Sequence, residues 1–387
     1  MGLSFALVSF ATLSGLLVPQ EEPKVLDVPT AVSKAVTFLV ERQEGPNQAE
    51  WPYEGVYRVP PYEKDYEGRR QIPFGYRVGG TSITACALMQ APGYAEDELR
   101  QAAVARATQF VIDATDHELM GPKYDGGYDV RGWGYIYAID FLMRMEARGW
   151  TPKELKREAK KAAKDYLASL ADIEIPEYGG WNYARKGALS KASPTSPFMT
   201  APAVHALLAA KAQGYTISKP MLKRALDALE HGRLETGEVP YSYRNDELKD
   251  PDQLPGSIGR MLATEVALQL GGRSSTDHVR RALNSFFEHW EWLDKRRAQT
   301  GTHVAPYGVA PYYFYYAHYQ AALAIELLPE AERENFRKQL RERFLEVQLE
   351  DGMWNDRVFP RTANYGTAIT VLSLTVPGSE SPGAASK

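Results

Sequence analysis

Apolar residues fall into two kinds of stretch that alternate along the chain. The first kind is amphipathic. A basic residue and an alanine are followed, two residues later, by an aromatic–aliphatic pair, as in Lys34-Ala35 with Phe38-Leu39 and Arg106-Ala107 with Phe110-Val111. Looser copies begin at Lys161-Ala162, Arg224-Ala225, Arg281-Ala282 and Arg337. Spacings of three and four place these apolar residues on one face of a helix. The second kind is rich in Ala, Leu and Thr and carries few charges: GTSITACALM, GYIYAIDFLM, MTAPAVHALLAA, GRMLATEVALQL, YYAHYQAALAIEL and GTAITVLSL. Apolarity nearly all round a helix predicts burial on both sides.

One amphipathic stretch, one loop and one apolar stretch make a unit that recurs six times, at about 55 to 70 residues. The amphipathic helix has a face for water and is expected outside; the apolar helix is expected inside. An open solenoid needs polar terminal caps. The first and last units instead carry the best-matching inner phrases, both of the form GT-x-IT, at Gly80–Thr84 and Gly366–Thr370. The sequence therefore predicts a closed ring with unit six packed on unit one. The expected fold is all-α, an (α/α)6 toroid of six helix pairs over residues 28–375.

The loops from outer to inner helices hold Gly and aromatic residues. They include Trp133 in unit two, Trp181, Tyr183 and Arg185 in unit three, Tyr241, Tyr243 and Arg244 in unit four, Tyr307 in unit five, and Gly352, Trp354 and Arg357 in unit six. Gly permits the turn, and each aromatic fills a gap between neighbouring pairs. Together the loops lie at one end of the ring, where they are expected to form a ligand-binding rim. Arg185, Arg244 and Arg357 suit a carboxylate, a phosphate or a uronic acid, or else pair with loop carboxylates.

Composition narrows the function classes. A net charge of -4, with basic residues scattered, gives no footprint for nucleic acid. The basic run at Lys153–Lys164 reads as a solvated helix face. Cys86 is the sole cysteine, so an intrachain disulfide is ruled out, and no Cys-based zinc pattern exists. No metal or other cofactor is expected. Residues 1–20 resemble the apolar region of a secretory signal, which predicts export to a periplasmic or extracellular location. No Lys or Arg precedes that region and no good Ala-x-Ala site closes it, so a disordered or docked N-terminal segment in a cytoplasmic protein is the other reading. No stretch is long enough to span a membrane in the mature chain. Residues 376–387, rich in Pro, Gly and Ser, are expected to be a disordered tail.

Gln348-x3-Gly352-x-Trp354 resembles the second half of the QW motif of squalene and other triterpene cyclases. Lys34-Ala35-x2-Phe38-Leu39-x3-Gln43 resembles its first half. The six-unit layout is similar to the toroid of those cyclases and of the β subunits of protein prenyltransferases. The resemblance implies a fold-holding role for Gln43, Gln348, Gly352 and Trp354. The catalytic motifs of that superfamily are missing. There is no DxDD, no DDxxD, and Cys86 lacks the Asp two residues before it that a prenyltransferase zinc site needs.

Polar residues on the inner phrases mark candidate chemistry: Asp140, His205, Glu265, His318 and Gln320. A polar residue on a buried helix is either paired or faces a wet cavity. Alignment of the phrases on their Ala-Leu pairs puts Glu265 and Gln320 in register, with His205 one position later. Glu265 as a general base with His205 or His318 as acid would suit hydrolysis or elimination. The leading expectation is a toroid that binds an apolar or carbohydrate-like small molecule in its cavity or at its rim. The alternatives are a divergent enzyme on the same scaffold (an isoprenoid cyclase or transferase, or a polysaccharide lyase or hydrolase) and a protein-binding scaffold.

Overall fold

The computed structural model describes residues 27–54, 72–123, 130–183, 193–244 and 254–376. The apolar segment 1–20, the tail from 377 onward and Arg185 lie outside these residues. Among the described residues the outer helices are α1 (Val28–Glu41), α3 (Glu98–Asp113), α5 (Lys156–Asp172), α7 (Lys219–Gly232), α9 (Thr276–Arg296) and α11 (Glu330–Glu346). The inner helices are α2 (Phe74–Gln90), α4 (Arg131–Ala147), α6 (Pro197–Ala212), α8 (Leu254–Leu270), α10 (Tyr313–Glu326) and α12 (Thr362–Thr375). No strand is formed among the described residues, only isolated bridges.

The ring closes. Each inner helix packs on the next, and α12 packs back on α2. The outer helix α1 lies against α12, so the outer wall crosses the join as well. Residues in the first turns of the inner helices meet one another, as Tyr76, Trp133 and Tyr365 do. Residues near the C-terminal ends also meet, as Gln90 and Leu372 do. The inner helices therefore run parallel, and the ring has an N-terminal end and a C-terminal end. Among the described residues no helix is long and apolar enough to cross a membrane.

The duplicated GT-x-IT phrase is a socket for a tryptophan. Trp51, Trp181 and Trp354 are wholly buried at the corners of units one, three and six. Each indole Nε1 donates to a carbonyl near the end of its own outer helix, at Leu39, Leu170 and Phe344, over 2.7, 2.8 and 2.8 Å. Each Trp main-chain N–H donates to a hydroxyl on the following inner helix, at Thr81, Thr200 and Thr367, over 2.9, 3.0 and 3.0 Å. Thr81 and Thr367 are the threonines of the two GT pairs. The glycine before each lets the tryptophan backbone come close. A Cβ at Gly80 would stand 2.4 Å from the Trp51 carbonyl oxygen, and one at Gly366 would stand 2.4 Å from that of Trp354. Unit four keeps the hydrogen bond without the indole, with the Val239 N–H donating to Ser257 Oγ at 2.8 Å.

Glutamines join neighbouring units. Gln43 Nε2 donates to the Ala103 carbonyl on α3 at 2.9 Å, and its Oε1 accepts from Arg106. Gln348 Nε2 donates to the Ala31 carbonyl on α1 at 3.4 Å, across the join. Gly352 lies beside it at φ +85, with room for no Cβ against Lys34. The positive φ and the close approach both require glycine there.

Candidate functional site

Helix α4 carries one stripe toward the centre of the ring: Trp133, Tyr137, Asp140 and Arg144. Spacings of four, three and four keep the stripe on one face. It runs from aromatic at the N-terminal end to ionic at the C-terminal end. At the ionic end the inner helices leave a cavity of about 70 Å³. That is room for several waters or a compact ligand group. Tyr137, Asp140, Arg144, His205, Tyr319 and Gln320 are among its lining residues, with Ile136, Pro202, Leu208 and Val266 as apolar wall.

Arg144 ties the cavity floor together. Its Nε donates to Asp140 at 2.8 Å, one Nη to the Tyr319 hydroxyl at 2.9 Å and the other to Gln90 Oε1 at 3.2 Å. Gln90 in turn donates to the Leu372 carbonyl and to Thr375, each over 2.9 Å. One guanidinium thus joins α4 to α10 and α2, and through Gln90 to α12. Burial works against its charge, but Asp140 and its hydrogen bond outweigh that and hold Arg144 firmly protonated.

Two polar atoms of the lining have no hydrogen-bond partner: His205 Nε2 and Gln320 Oε1, both shut away from solvent. Burial pushes the His205 imidazole down to about 4, with Arg144 pushing the same way and Asp140 opposing. His205 is therefore neutral near pH 7. A buried acceptor without a donor costs about 1–3 kcal/mol, so such atoms in a cavity call for an occupant.

The N-terminal end is aromatic. Tyr53 packs on Tyr76, Trp133 and Tyr365 with ring centroids 5.2, 5.4 and 4.8 Å apart, and Trp133 meets Tyr137 at 4.7 Å. A second group joins Phe198, Tyr313 and Tyr316, with Phe198 5.0 and 4.8 Å from the two tyrosines. Tyr241 and Tyr312 share a hydrogen bond of 3.2 Å beside it, and the Arg260 guanidinium lies over Phe198, Tyr241 and Tyr313. The Tyr183 hydroxyl is pushed well above its usual range, chiefly by burial, with Tyr241, Tyr312, Tyr76 and Tyr316 adding to the shift.

The structure separates the sequence candidates. His205, Asp140 and Gln320 come together in the C-terminal cavity. Glu265 does not reach it. Its carboxylate is bound by Arg233 at 3.1 Å and by Ser274, on the side of α8 facing away from the centre, while Val266 faces in. His318 also points outward. Its Nδ1 donates to the Phe314 carbonyl at 2.6 Å and its Nε2 accepts from Trp290 Nε1 at 2.7 Å, inside a box of Phe286, Phe314 and Phe344. Alignment of phrases fixes position along a helix only to within a residue, and one residue turns a side chain by about 100°.

The rim residues divide in the same way. Trp133, Tyr183 and Tyr241 belong to the aromatic end. Trp181 is a buried corner peg, and Tyr243 is buried against Gly232, so neither lines a rim. Tyr307 packs edge-on against Trp292 of α9. Arg244 is exposed. Arg357 is buried, its guanidinium over the rings of Tyr312 and Phe359. Sequence reasoning missed Tyr137, Arg144 and Tyr319. The α4 stripe was the available signal for the first two. Among the described residues no group of three or more His, Cys, Asp or Glu side chains converges on one point.

The chain matches no family model and no curated protein sequence. Its likenesses are to solved structures. One is a type II terpene cyclase from Scytonema, MstE, in complex with its substrate geranylgeranyl dihydroxybenzoate. It has 15% identity and a TM-score of 0.52, covering 89% of this chain and 95% of the cyclase. Another is the GH76A alpha-1,6-mannanase of a Salegentibacter species, with 12% identity and a TM-score of 0.57, covering 90% of this chain and 99% of the mannanase. A third is a D-mannose isomerase, with 14% identity and a TM-score of 0.55, covering 91% of this chain and 99% of the isomerase. At such identities the shared property is the fold, and this chain has the all-helical α/α toroid.

Proposed function

We propose that the protein binds a small organic molecule at the centre of the ring, with its polar groups held at the C-terminal end. The observation that carries this reading is the pair of partnerless buried atoms, His205 Nε2 and Gln320 Oε1, lining one cavity beside the Asp140–Arg144–Tyr319 chain. Proteins of similar fold bind small-molecule ligands. The cyclase was solved with its prenylated substrate and an inactive mannanase variant with mannotriose.

Binding is favoured over catalysis on the residues present. Asp140 is committed to Arg144, and Glu326 at the cavity edge to Arg337 at 2.6 Å. His205 is too weak a base near pH 7 to take a proton efficiently. The exported location suggested by residues 1–20 belongs to the same proposal; sequencing the N-terminus of the protein from its native cells tests it.

The test of the binding reading is mass spectrometry of small molecules released from natively purified protein. Leu208→Trp, which fills the cavity from the wall, serves as the comparison. A compound released from the wild type and missing from folded Leu208→Trp supports the reading. A compound retained equally by both places the ligand elsewhere and defeats it.

A further inference from the structure

The charges of the cavity cancel in pairs. Asp140 and Arg144 lie 2.8 Å apart, and Glu326 and Arg337 2.6 Å apart. No surplus cation is left to receive a phosphate or carboxylate, and an anion placed there would face Asp140 and the Gln320 carbonyl oxygen. What remains open is hydrogen-bonding capacity. Gln320 Oε1 accepts only; it is part of a side chain 2% exposed. His205, a neighbour of Gln320 in the same lining, has a neutral ring whose Nε2 is also buried without a partner. The Tyr137 hydroxyl, which carries both a donor and an acceptor, lines the cavity above them. Around these, Ile136, Pro202, Leu208 and Val266 present C–H surface.

Resting on the reading above, we infer that the ligand is a neutral polyhydroxy compound, a compact part of which enters the cavity, where its hydroxyls bond to Gln320 Oε1 and His205 Nε2 and its C–H face packs on the apolar wall. An isoprenoid alcohol such as geraniol has a single hydroxyl, which satisfies at most one of Gln320 Oε1 and His205 Nε2 and buries the other unpaired. Sites built to hydrogen-bond a hydroxyl reject the analogue that lacks it, because their own polar groups are then left unpaired. A polyol satisfies both surfaces at once. The small cavity limits how much of a ligand enters, since its volume falls well short of the usual drug-sized pocket.

The experiment is calorimetric titration of the full chain with four probes: D-glucose, myo-inositol, glucose 6-phosphate and geraniol. Each is repeated on Gln320→Leu and on Leu208→Trp, with circular dichroism to establish that both variants fold. The expected result is binding of a neutral polyol, weakened at least tenfold in Gln320→Leu and abolished in Leu208→Trp. Glucose 6-phosphate or geraniol binding more tightly than both neutral polyols, and blocked by Leu208→Trp, overturns the ligand class and leaves the cavity reading standing. Binding that Leu208→Trp leaves unchanged overturns the cavity reading itself. Binding by none of the four overturns both.

Discussion

Truncation of Trp354 to Ala removes the peg of the last corner, and the structure sets the size of the effect. The side chain is wholly buried, so the change leaves a cavity in close-packed surroundings, a loss of about 3–5 kcal/mol. It also deletes the indole N–H that donates to the Phe344 carbonyl at 2.8 Å, leaving that acceptor short of a partner for about 1 kcal/mol more. Relaxation is limited. The neighbouring main chain is pinned by Thr367, and Gly366 lies against the Trp354 carbonyl. A total near 4–6 kcal/mol is a large share of the stability of an ordinary domain, about 5–15 kcal/mol. Urea unfolding followed by circular dichroism reads it as a lower midpoint, with Val358→Ala at a half-exposed site as the control that moves by less than about 0.5 kcal/mol. A Trp354→Ala protein within 1 kcal/mol of the wild type would refute the corner-peg account.

Gly366→Ala is expected to destabilise although alanine is the better helix former, because its Cβ meets a main-chain carbonyl at 2.4 Å and cannot push it aside cheaply; a rise in melting temperature would contradict this. Glu265→Ala is expected to cost stability, about 2–4 kcal/mol by chemical unfolding, because it leaves Arg233 and Ser274 without their buried partner, and to leave ligand binding at the centre intact. Gln320→Leu is expected to melt no lower than the wild type while losing ligand, since it removes a buried acceptor that has no donor. Asp356 has both carboxylate oxygens buried without partners, and burial, against the opposing pull of Arg357 and Arg297, pushes its carboxyl up from 3.8 to about 7. The folded state then holds a proton that the unfolded chain releases, so this contribution is full below pH 3.8 and is lost as pH rises through 7. Relative to Asp356→Asn, the wild type is expected to lose on the order of 4 kcal/mol between pH 4 and pH 7, and parallel pH profiles for the two proteins would sink the assignment. His205 and His318, pushed down to about 4 and about 3 chiefly by burial, act oppositely. Their contribution is full above pH 6.5 and is lost as pH falls toward 4.

The ring was legible because each helix type carries its own pattern. One polar face marked the outer helices, and apolarity all round marked the inner ones. The repeated GT pair also announced adjacent, equivalent inner helices, although its physical meaning lies in the packing of the corner in front of it. The threonine hydroxyl receives the tryptophan N–H, and the glycine yields space to the tryptophan carbonyl. The site was legible only in part. Asp140, His205 and Gln320 stood out as polar residues on apolar helices, but so did Glu265 and His318, which are satisfied on the outward side by Arg233 and by Trp290. Which face a residue occupies depends on the helix rotation, and a phrase alignment off by one residue loses it. Trp181 and Tyr243 looked like rim residues because every corner is aromatic; whether a ring plugs a corner or lines the centre depends on packing against a neighbour distant in sequence. The Arg144 chain joins helices that lie up to 285 positions apart along the sequence, a meeting that no local pattern encodes.

The location of the ligand tests the central claim most directly, since the ring offers two ends of opposite chemistry. A crystal structure of the protein with a ligand identified by copurification or titration measures it. Difference density at the C-terminal end, within hydrogen-bonding distance of His205 Nε2 and Gln320 Oε1, is the predicted result. Density confined to the aromatic end, between Trp133 and Tyr241, with the His205–Gln320 cavity empty, would contradict it.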